Sequence, residues 1–287
     1  MPFSANTFSI FRQVLHNSIL AAYPKGKRMR GEKMKKEYML ALLALWFMAA
    51  GTVVIADAGG KTKAGKMVIH RYEADVTGDG KKDAIILEGI PFATGSPYMK
   101  KIWARIAASE GKKYKLPYEP GYEPEIRFTD LNHDGVKDMI GSSNSGGSGG
   151  INQYRLDTLK GGILKYLPMP PVLKLSGKFE NALSARLNIE NTNETFLIDL
   201  RKRKKDYIRL GIYQKDGMLN EPFELMIDPV AVYKPVKIKG KKGCGLEGYQ
   251  QISGAYHADK LGDVKATWYF EDGKWILVRA KWQPANA

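Results

Sequence analysis

Cysteine is almost absent from this chain of 287 residues, since Cys244 is the only one. A single cysteine excludes an intramolecular disulfide and a zinc site built on several thiolates. Histidine is also scarce: beyond residue 58 there are only His70, His133 and His257, with no H-x-x-x-H spacing. A zinc hydrolase is therefore not expected.

The sequence also lacks any long stretch with the 3.6-residue period of an amphipathic helix. From residue 66 onward, strand-like runs alternate with turn signals, and Arg209-Leu-Gly-Ile-Tyr213 is read as one such strand. Asp272-Gly273 lies between two aromatic-rich runs, which is typical of a β-hairpin. These patterns predict an all-β protein, with or without one short helix.

One nine-residue pattern occurs twice, with starts 55 residues apart, at positions 75–83 and 130–138. Oxygen-bearing side chains stand at positions 1, 3 and 5, glycine at position 6 and aspartate at position 9. Closely spaced carboxylates repel one another unless a hard cation lies between them, and Ca²⁺ takes six to eight oxygen ligands. Position 12 is Ile86 or Gly141 instead of the glutamate of an EF-hand, and strand-like runs flank both loops.

We therefore predict Ca²⁺ ligation by four side chains and one backbone carbonyl in each loop. An ion-free polar hairpin turn is the alternative. The predicted ligands are Asp75, Thr77, Asp79, Asp83 and the carbonyl of Lys81 in the first loop, and Asp130, Asn132, Asp134, Asp138 and the carbonyl of Val136 in the second.

The D-x-[TN]-x-D-G-x-x-D loop between strands resembles the calcium loop of VCBS and FG-GAP repeat proteins. More narrowly, the chain is similar to secreted VCBS-repeat proteins of Gram-positive spore-forming bacteria. The matching stretches are residues 75–88, 128–150 and 249–262. The resemblance implies repeated β-units with calcium at their tips, and it implies no catalytic activity.

The 55-residue interval also directs attention to the region near residue 240. Lys237, Lys239 and Lys241 keep the 1, 3, 5 spacing there, but an ammonium cannot coordinate calcium, so we interpret the segment as a decayed or repurposed repeat. We expect a small β-propeller-like or two-layer β architecture in a single domain over residues 66–287. Its two halves would join near residues 167–177, around Pro168-Met-Pro-Pro171.

The N-terminal region is predicted to be a targeting segment. Residues 34–58 hold a basic start, an uncharged apolar run over 39–56 and the Ala56-Asp57-Ala58 cleavage pattern of a signal peptide. An uncleaved membrane anchor is the alternative. Residues 1–33 are expected to be upstream sequence from a misplaced start or a disordered extension, and residues 59–65 a flexible tail.

Two further patterns are interpreted as ordinary structural features without a catalytic or binding role. Gly146-Gly-Ser148-Gly-Gly150 fits the nucleophile-elbow spacing, but a strand-like run follows it instead of a helix, so a glycine/serine loop is favoured. His133, at position 4 of the second loop, is expected to be a solvated surface side chain.

The net charge is +15, and residues 1–58 account for +5 of it through eight Lys and Arg against three Asp and Glu. A basic secreted protein would meet anionic cell-wall polymers, and residues 201–205 and 237–242 are candidate anion-binding clusters. No specific nucleic acid is expected, and the membrane enters only through an uncleaved leader. The sequence favours a calcium-binding envelope binder, secreted or associated with the cell wall, over an extracellular hydrolase or a structural wall or spore component.

Overall fold

A computed structural model describes residues 65–147 and 149–285. The strands fall into four antiparallel sheets, each built from strands that are consecutive in the chain. The first sheet contains β1 (Met67–Ala74), β2 (Asp83–Pro91), β3 (Met99–Ala107) and β4 (Lys113–Tyr118). The second contains β5 (Tyr122–Thr129), β6 (Asp138–Asn144), β7 (Asn152–Thr158) and β8 (Lys165–Leu167).

The third sheet has three strands, β9 (Leu175–Glu180), β10 (Ser184–Ile189) and β11 (Glu194–Asp199). The fourth contains β12 (Met226–Val236), β13 (Gly245–Ser253), β14 (Lys260–Glu271) and β15 (Lys274–Pro284). Helical structure among the described residues is limited to α1 (Lys204–Arg209) and the 3₁₀ segments Lys160–Gly162 and Arg201–Arg203. The prediction of an all-β protein is confirmed.

The Asp272-Gly273 hairpin forms as predicted, joining β14 to β15 at the Glu271–Lys274 pair. Asp272 has φ 51° and Gly273 has φ 76°. Two successive residues with positive φ give a turn whose twist matches that of the flanking strands. Local turn chemistry was therefore sufficient to locate this hairpin.

The strand predicted over residues 209–213 was wrong, because Arg209 is the last residue of α1 and a turn follows. Gly211, with φ 75°, ends the helix, and its N–H donates to the Ile208 carbonyl. The next N–H, of Ile212, donates to the Tyr207 carbonyl. Glycine in a left-handed conformation commonly ends helices in this way, and the alternating apolar residues around it imitate a strand.

The core consists of two clusters of buried side chains. One lies around the first sheet and includes Ile85, Leu87 and Leu116. The other joins the third and fourth sheets and takes Leu131, Ile140 and Leu156 from the second sheet region. Because the second sheet contributes to both clusters, residues on the two sides of the Pro168–Pro171 stretch share one core.

Buried and more exposed residues alternate along β13, as expected of a strand with one face in the core, whereas residues 266–270 of β14 are all buried. Trp268, Trp275 and Trp282 are buried in the core of the fourth sheet, whereas Trp103 on β3 is half-buried and donates to Glu88. No helix in the described part of the chain is long and apolar enough to cross a membrane. The predictions for residues 1–33 and 34–58, and for the tail up to residue 64, lie outside the described residues.

Candidate metal loops and neighbouring sites

The two aspartate-rich loops occupy equivalent places in the fold. Residues 75–82 join β1 to β2 and residues 130–137 join β5 to β6, in each case the first two strands of a sheet. The loops also touch each other, because a Cβ added at Gly78 would lie 2.5 Å from Cγ2 of Val136. The lysine-rich segment 237–244 joins β12 to β13 and so takes the same place in the fourth sheet.

In the first loop, the aspartate oxygens are satisfied within the protein. Both oxygens of Asp75 accept from loop N–H groups, those of Gly78 at 2.6 Å and Gly80 at 3.0 Å. Oδ2 of the buried Asp83 accepts two further loop N–H groups, and its Oδ1 accepts the Ser109 N–H at 2.9 Å. The position-3 hydroxyl of Thr77 also donates to Asp83.

Asp79 at position 5 completes this arrangement. Its Oδ1 accepts the Lys81 N–H at 2.9 Å, and its other oxygen accepts the Ser109 hydroxyl. The Ser109 hydrogen bond is the main cause that lowers the pKa of the exposed Asp79 carboxyl, with the Lys81 N–H next. Hydrogen bonds from the protein therefore occupy the carboxylate oxygens of the first loop without a cation.

In the second loop, the same scaffold leaves oxygens without partners. Oδ2 of Asp138 accepts the N–H groups of Leu131 at 2.8 Å and Asn132 at 3.1 Å, and Oδ2 of Asp130 accepts the Gly135 N–H at 3.0 Å. The remaining oxygen of each aspartate, Oδ1 in both, is buried and has no hydrogen-bond partner among the described residues. Asp138 itself is fully buried.

Two further side chains complete the ligand set predicted for the second loop. Asp134 Oδ1 accepts the Val136 N–H at 3.0 Å, and its Oδ2 accepts from the Asn132 amide at 3.0 Å. Lys160 donates to the Asp134 carbonyl at 2.6 Å and lies 3.9 Å from Asp134 Oδ1. The position-5 aspartate therefore has the ammonium group of Lys160 as a neighbour in this loop, whereas in the first loop it has the hydroxyl of Ser109.

Thr158 at the end of β7 adds a third orphan oxygen, which the sequence pattern did not reveal. Its buried Oγ1 makes no hydrogen bond, although it lies near enough to Asp138 to lower the pKa of that carboxyl. Burial is the main cause that raises the pKa of Asp138 to about 6, while the N–H groups of Leu131 and Asn132 act in the opposite direction and the charge of Asp134 is a smaller raising effect. Burial thus works against the ionised form of Asp138, and positive charge close to the carboxyl would favour that form.

The two loops also differ in a residue that follows the third strand of each sheet. Ala84, which follows Asp83, pairs with Ala107, and Met139, which follows Asp138, pairs with Asp157. Two residues beyond these partners stand Ser109 in the first sheet and Leu159 in the second. Leucine has no side-chain donor, so the second loop lacks the hydroxyl that Ser109 gives to Asp79.

All the predicted ligands therefore lie in two adjacent, equivalent loops, with Lys81 exposed and Val136 buried. Among the residues that the structure describes, no group of three or more His, Cys, Asp or Glu side chains is arranged to hold a metal ion. The donor set fits a hard cation better in the second loop, where buried oxygens have no donor, than in the first, where hydrogen bonds occupy them.

His133 is not the solvated side chain that was expected. Its ring is half-buried and stacks on Tyr269 of β14 with a centroid distance of 4.2 Å. Its Nε2 lies 2.9 Å from the carbonyl oxygen of Cys244. Position 4 of the second loop therefore connects that loop to the lysine-rich segment of the fourth sheet, a contact across 111 residues.

The basic cluster at residues 201–205 is partly used by the fold. Arg201 pairs with Asp199 at 2.7 Å. Arg203 pairs with the buried Asp259 at 2.7 Å and also donates to the Lys260 carbonyl. The exposed cations of the cluster that make no salt bridge with any described residue are Lys202, Lys204 and Lys205.

The second basic cluster, 237–242, borders a groove of about 600 Å³ on the outer side of the fourth sheet. Lys237 and Lys239 line the groove, whereas Lys241 turns away to pair with Glu271 at 3.1 Å and to cover the Tyr269 ring. The groove continues onto β13, β14 and β15 through Glu247, Thr267 and Arg279.

A carboxylate–imidazole pair lies beside the glycine/serine loop. Asp228 Oδ1 is 2.8 Å from Nδ1 of His257, and Asp228 is 3% exposed. Its Oδ2 has no hydrogen-bond partner among the described residues, and a Cβ added at Gly149 would lie 3.9 Å from it. Ser148, the residue at the elbow position, lies outside the described residues.

Comparison with known proteins finds a match over the C-terminal part of the chain. A family described as the YybI C-terminal domain matches residues 173–283, which hold the third and fourth sheets except for the end of β15. An uncharacterized protein YybI from Bacillus subtilis (strain 168) is 29% identical over 221 residues, covering 75% of this chain and 84% of that protein. No solved structure matches.

Proposed function

We propose that this chain is a secreted calcium-binding β-repeat protein that acts by binding at the cell envelope. The observation that carries the calcium assignment is the second loop, where Asp130 and Asp138 each keep one buried oxygen without a donor. Leaving a buried polar atom unpaired costs about 1–3 kcal/mol, and more when the group is charged. A cation bound there would remove that cost.

The VCBS-like repeat assignment is part of the same proposal. Its support is positional: both aspartate loops and the lysine-rich segment join the first two strands of a four-stranded antiparallel sheet. We propose that the four sheets are four units of a small propeller-like or two-layer structure, in which the fourth unit keeps the loop but has replaced carboxylates by ammonium groups.

The test of the calcium proposal is titration calorimetry on the mature chain with the variants Asp79→Ala and Asp134→Ala. We expect no more than two ions per chain, and the loss of one ion in each variant. Extracellular calcium modules commonly bind with dissociation constants of about 10⁻⁴ to 10⁻³ M. The second loop should bind more tightly, because Asp130 and Asp138 each keep a buried oxygen that no described donor occupies. An unchanged melting temperature in excess chelator would reject calcium as a structural ion.

The envelope role is supported by charge. Beyond residue 58 the chain carries 37 Lys and Arg against 27 Asp and Glu. Such an excess attracts polyanions at low ionic strength, and the attraction weakens with salt. We expect retention on purified cell walls at low salt and release at high salt. If the chain does not bind walls at low salt, the envelope role is rejected and the positive charge serves only solubility.

An extracellular hydrolase is the second candidate, and the Asp228–His257 pair favours it. A buried carboxylate on Nδ1 leaves Nε2 free to take a proton from a nearby hydroxyl, and the glycine/serine loop approaches Asp228. A fluorophosphonate probe tests this function directly. Labelling that is lost in both Ser148→Ala and His257→Ala would support hydrolysis, whereas no labelling of the unaltered chain would reject a serine nucleophile.

A further inference from the structure

The outer side of the fourth sheet collects basic side chains from β12, β14, β15 and the segment that joins β12 to β13. Lys265 pairs directly with Lys281 across β14 and β15, and Thr267 pairs with Arg279 beside them. On the same face, β13 is the other neighbour of β14. Its Tyr249 pairs with Lys265, and its Glu247 pairs with Thr267 of β14 and Lys234 of β12. We call this surface the basic face and define it by six cations: Lys234, Lys237, Lys239, Lys265, Arg279 and Lys281.

The positive charge of the basic face is poorly compensated. Glu247 is the carboxylate among these cations; it accepts the Tyr249 hydroxyl and lies 3.9 Å from Arg279. Asp263, at the edge of the face, is paired with Lys260 at 2.8 Å. The five lysines of the face make no salt bridge within the described part of the chain. Cations held together without counterions bind polyanions with release of the condensed ions.

The shape of the face suggests a chain-like ligand. Its groove of about 600 Å³ has Lys237, Lys239 and Arg279 among its lining residues. Val236, Ile238 and Val278 supply apolar lining in the same groove. Cations on adjacent strands lie about 5 Å apart at Cβ, and those two residues apart on one strand about 6.6–6.8 Å apart. An extended polymer could thus place successive anionic groups on cations and its carbon units on the apolar lining.

Tyr249 argues against a nucleic acid as that polymer. The ammonium groups of Lys234 and Lys265 lie over its ring, at 5.2 and 4.8 Å from the centroid. Single-stranded nucleic acids gain much of their affinity from bases stacked on aromatic rings. With its ring occupied by two ammonium groups, Tyr249 offers positive charge and no stacking surface.

We propose that the basic face binds a flexible phosphodiester polymer of polyol units, independently of the calcium loops. This inference rests on the proposed envelope role and names its surface and its ligand class. It also moves the principal anion site away from residues 201–205, where Arg201 and Arg203 are engaged by Asp199 and Asp259.

The test compares two variants of equal charge. The face variant is Lys237→Gln/Lys239→Gln/Lys281→Gln, chosen because these side chains are exposed and make no salt bridge within the described part of the chain. The matched control is Lys202→Gln/Lys204→Gln/Lys205→Gln, whose side chains are also exposed. Binding to synthetic poly(glycerol phosphate) is measured by fluorescence anisotropy in excess chelator over a series of salt concentrations.

We expect the face variant to lose at least tenfold in affinity at low salt while the control stays within about threefold. Each lost contact should lower the slope of log K against log salt by about 0.7, so the face variant should lose about 2 in slope. Equal losses in the two variants would overturn the inference, because only net charge would then matter. Circular dichroism of both variants checks that the fold is kept.

Other outcomes separate the inference from the proposal beneath it. If the unaltered chain binds neither walls nor the polymer at low salt, the envelope role fails. If it binds walls but the polymer only with calcium, the envelope role survives and the basic face is rejected. Stronger binding to phosphatidylglycerol vesicles or to a single-stranded oligonucleotide than to the polymer would overturn the ligand class.

Discussion

Asp138 and Asp83 are equivalent residues in their loops, yet their surroundings predict opposite responses to the same substitution. Both are fully buried, and each accepts two loop N–H groups through Oδ2. Oδ1 of Asp83 has a donor in the Ser109 N–H, whereas Oδ1 of Asp138 has none. An asparagine amide nitrogen in place of Oδ1 would therefore face the Ser109 N–H at position 83, donor against donor, whereas no described donor faces Oδ1 at position 138.

We expect Asp138→Asn to leave the melting temperature in chelator unchanged or higher, and to abolish the increase that calcium gives. Calcium at about 100 times its dissociation constant adds roughly 2.7 kcal/mol to the free energy of unfolding, and this gain should vanish. The control, Asp83→Asn, should lower the melting temperature even in chelator. If Asp138→Asn were as damaging in chelator as in calcium, its carboxylate would serve the fold alone.

Glu88 on β2 gives a prediction with a pH dependence. Its side chain is 1% exposed and accepts from Arg105, Lys66 and the Trp103 indole. The hydrogen bonds from Arg105 are the main cause that lowers the pKa of Glu88 to about 2. A carboxyl whose pKa is lowered by folding stabilises the protein above its unfolded pKa of about 4.3, and this contribution is lost as the pH falls toward 2.

Glu88→Gln should therefore lower the free energy of unfolding by about 1–2 kcal/mol at pH 7, since Arg105 and Lys66 are half-exposed and retain water. The difference from the unaltered chain should shrink as the pH is lowered from 5 to 3, measured by urea unfolding. Glu110→Gln is the control, because its pair with Lys112 is exposed and should change stability by less than about 0.5 kcal/mol. A difference that is independent of pH would show that the charge of Glu88 is irrelevant.

At the scale of elements, two glycine substitutions separate the stability contributed by the contact between the aspartate loops from the cost of placing alanine at a positive φ. Gly78 has φ 78° and an added Cβ would lie 2.5 Å from Val136, while Gly80 has φ 82° and nothing within 4 Å. Both alanine variants incur the cost of positive φ, about 1 kcal/mol. Gly78→Ala should lose a further 1–2 kcal/mol or so by overpacking, seen in thermal unfolding. Equal losses would mean that the loops do not restrain each other.

Features formed within one turn could be predicted from the sequence, whereas features formed by the pairing of distant strands could not. The spacing of Asp, Asn, Thr and Gly located both loops, and Asp272-Gly273 located a hairpin, because turn chemistry is local. The contrast between Ser109 and Leu159 escaped the pattern, since these residues meet their loops only through the pairing of β3 with β2 and of β7 with β6. The basic face escaped for the same reason: Lys234, Lys265 and Lys281 become neighbours only through strand register.

At the scale of the whole molecule, the loops and the basic face belong to the same compact unit. His133 connects the second loop to Tyr269 and Cys244 of the fourth sheet, and Gly78 packs against Val136 between the loops. A cation in the second loop would therefore brace contacts on both of its sides. Substitutions that weaken calcium binding should accordingly also lower the stability of this unit in calcium. Its affinity for the polymer should be the same in calcium and in chelator.

The final prediction concerns the N-terminus of the working molecule. A basic protein that binds wall polymers must be exported, and residues 39–56 with Ala56-Asp57-Ala58 supply the apolar run and small-residue cleavage pattern for this. We expect the chain secreted by a Gram-positive bacterial host to begin near Gly59. N-terminal sequencing of the secreted material measures this, with Ala56→Lys/Ala58→Lys as the control that should block cleavage. Intact chains that remain in the membrane fraction and retain residues 39–56 would show an anchor instead, and would place the basic face at the outer membrane surface on a tether.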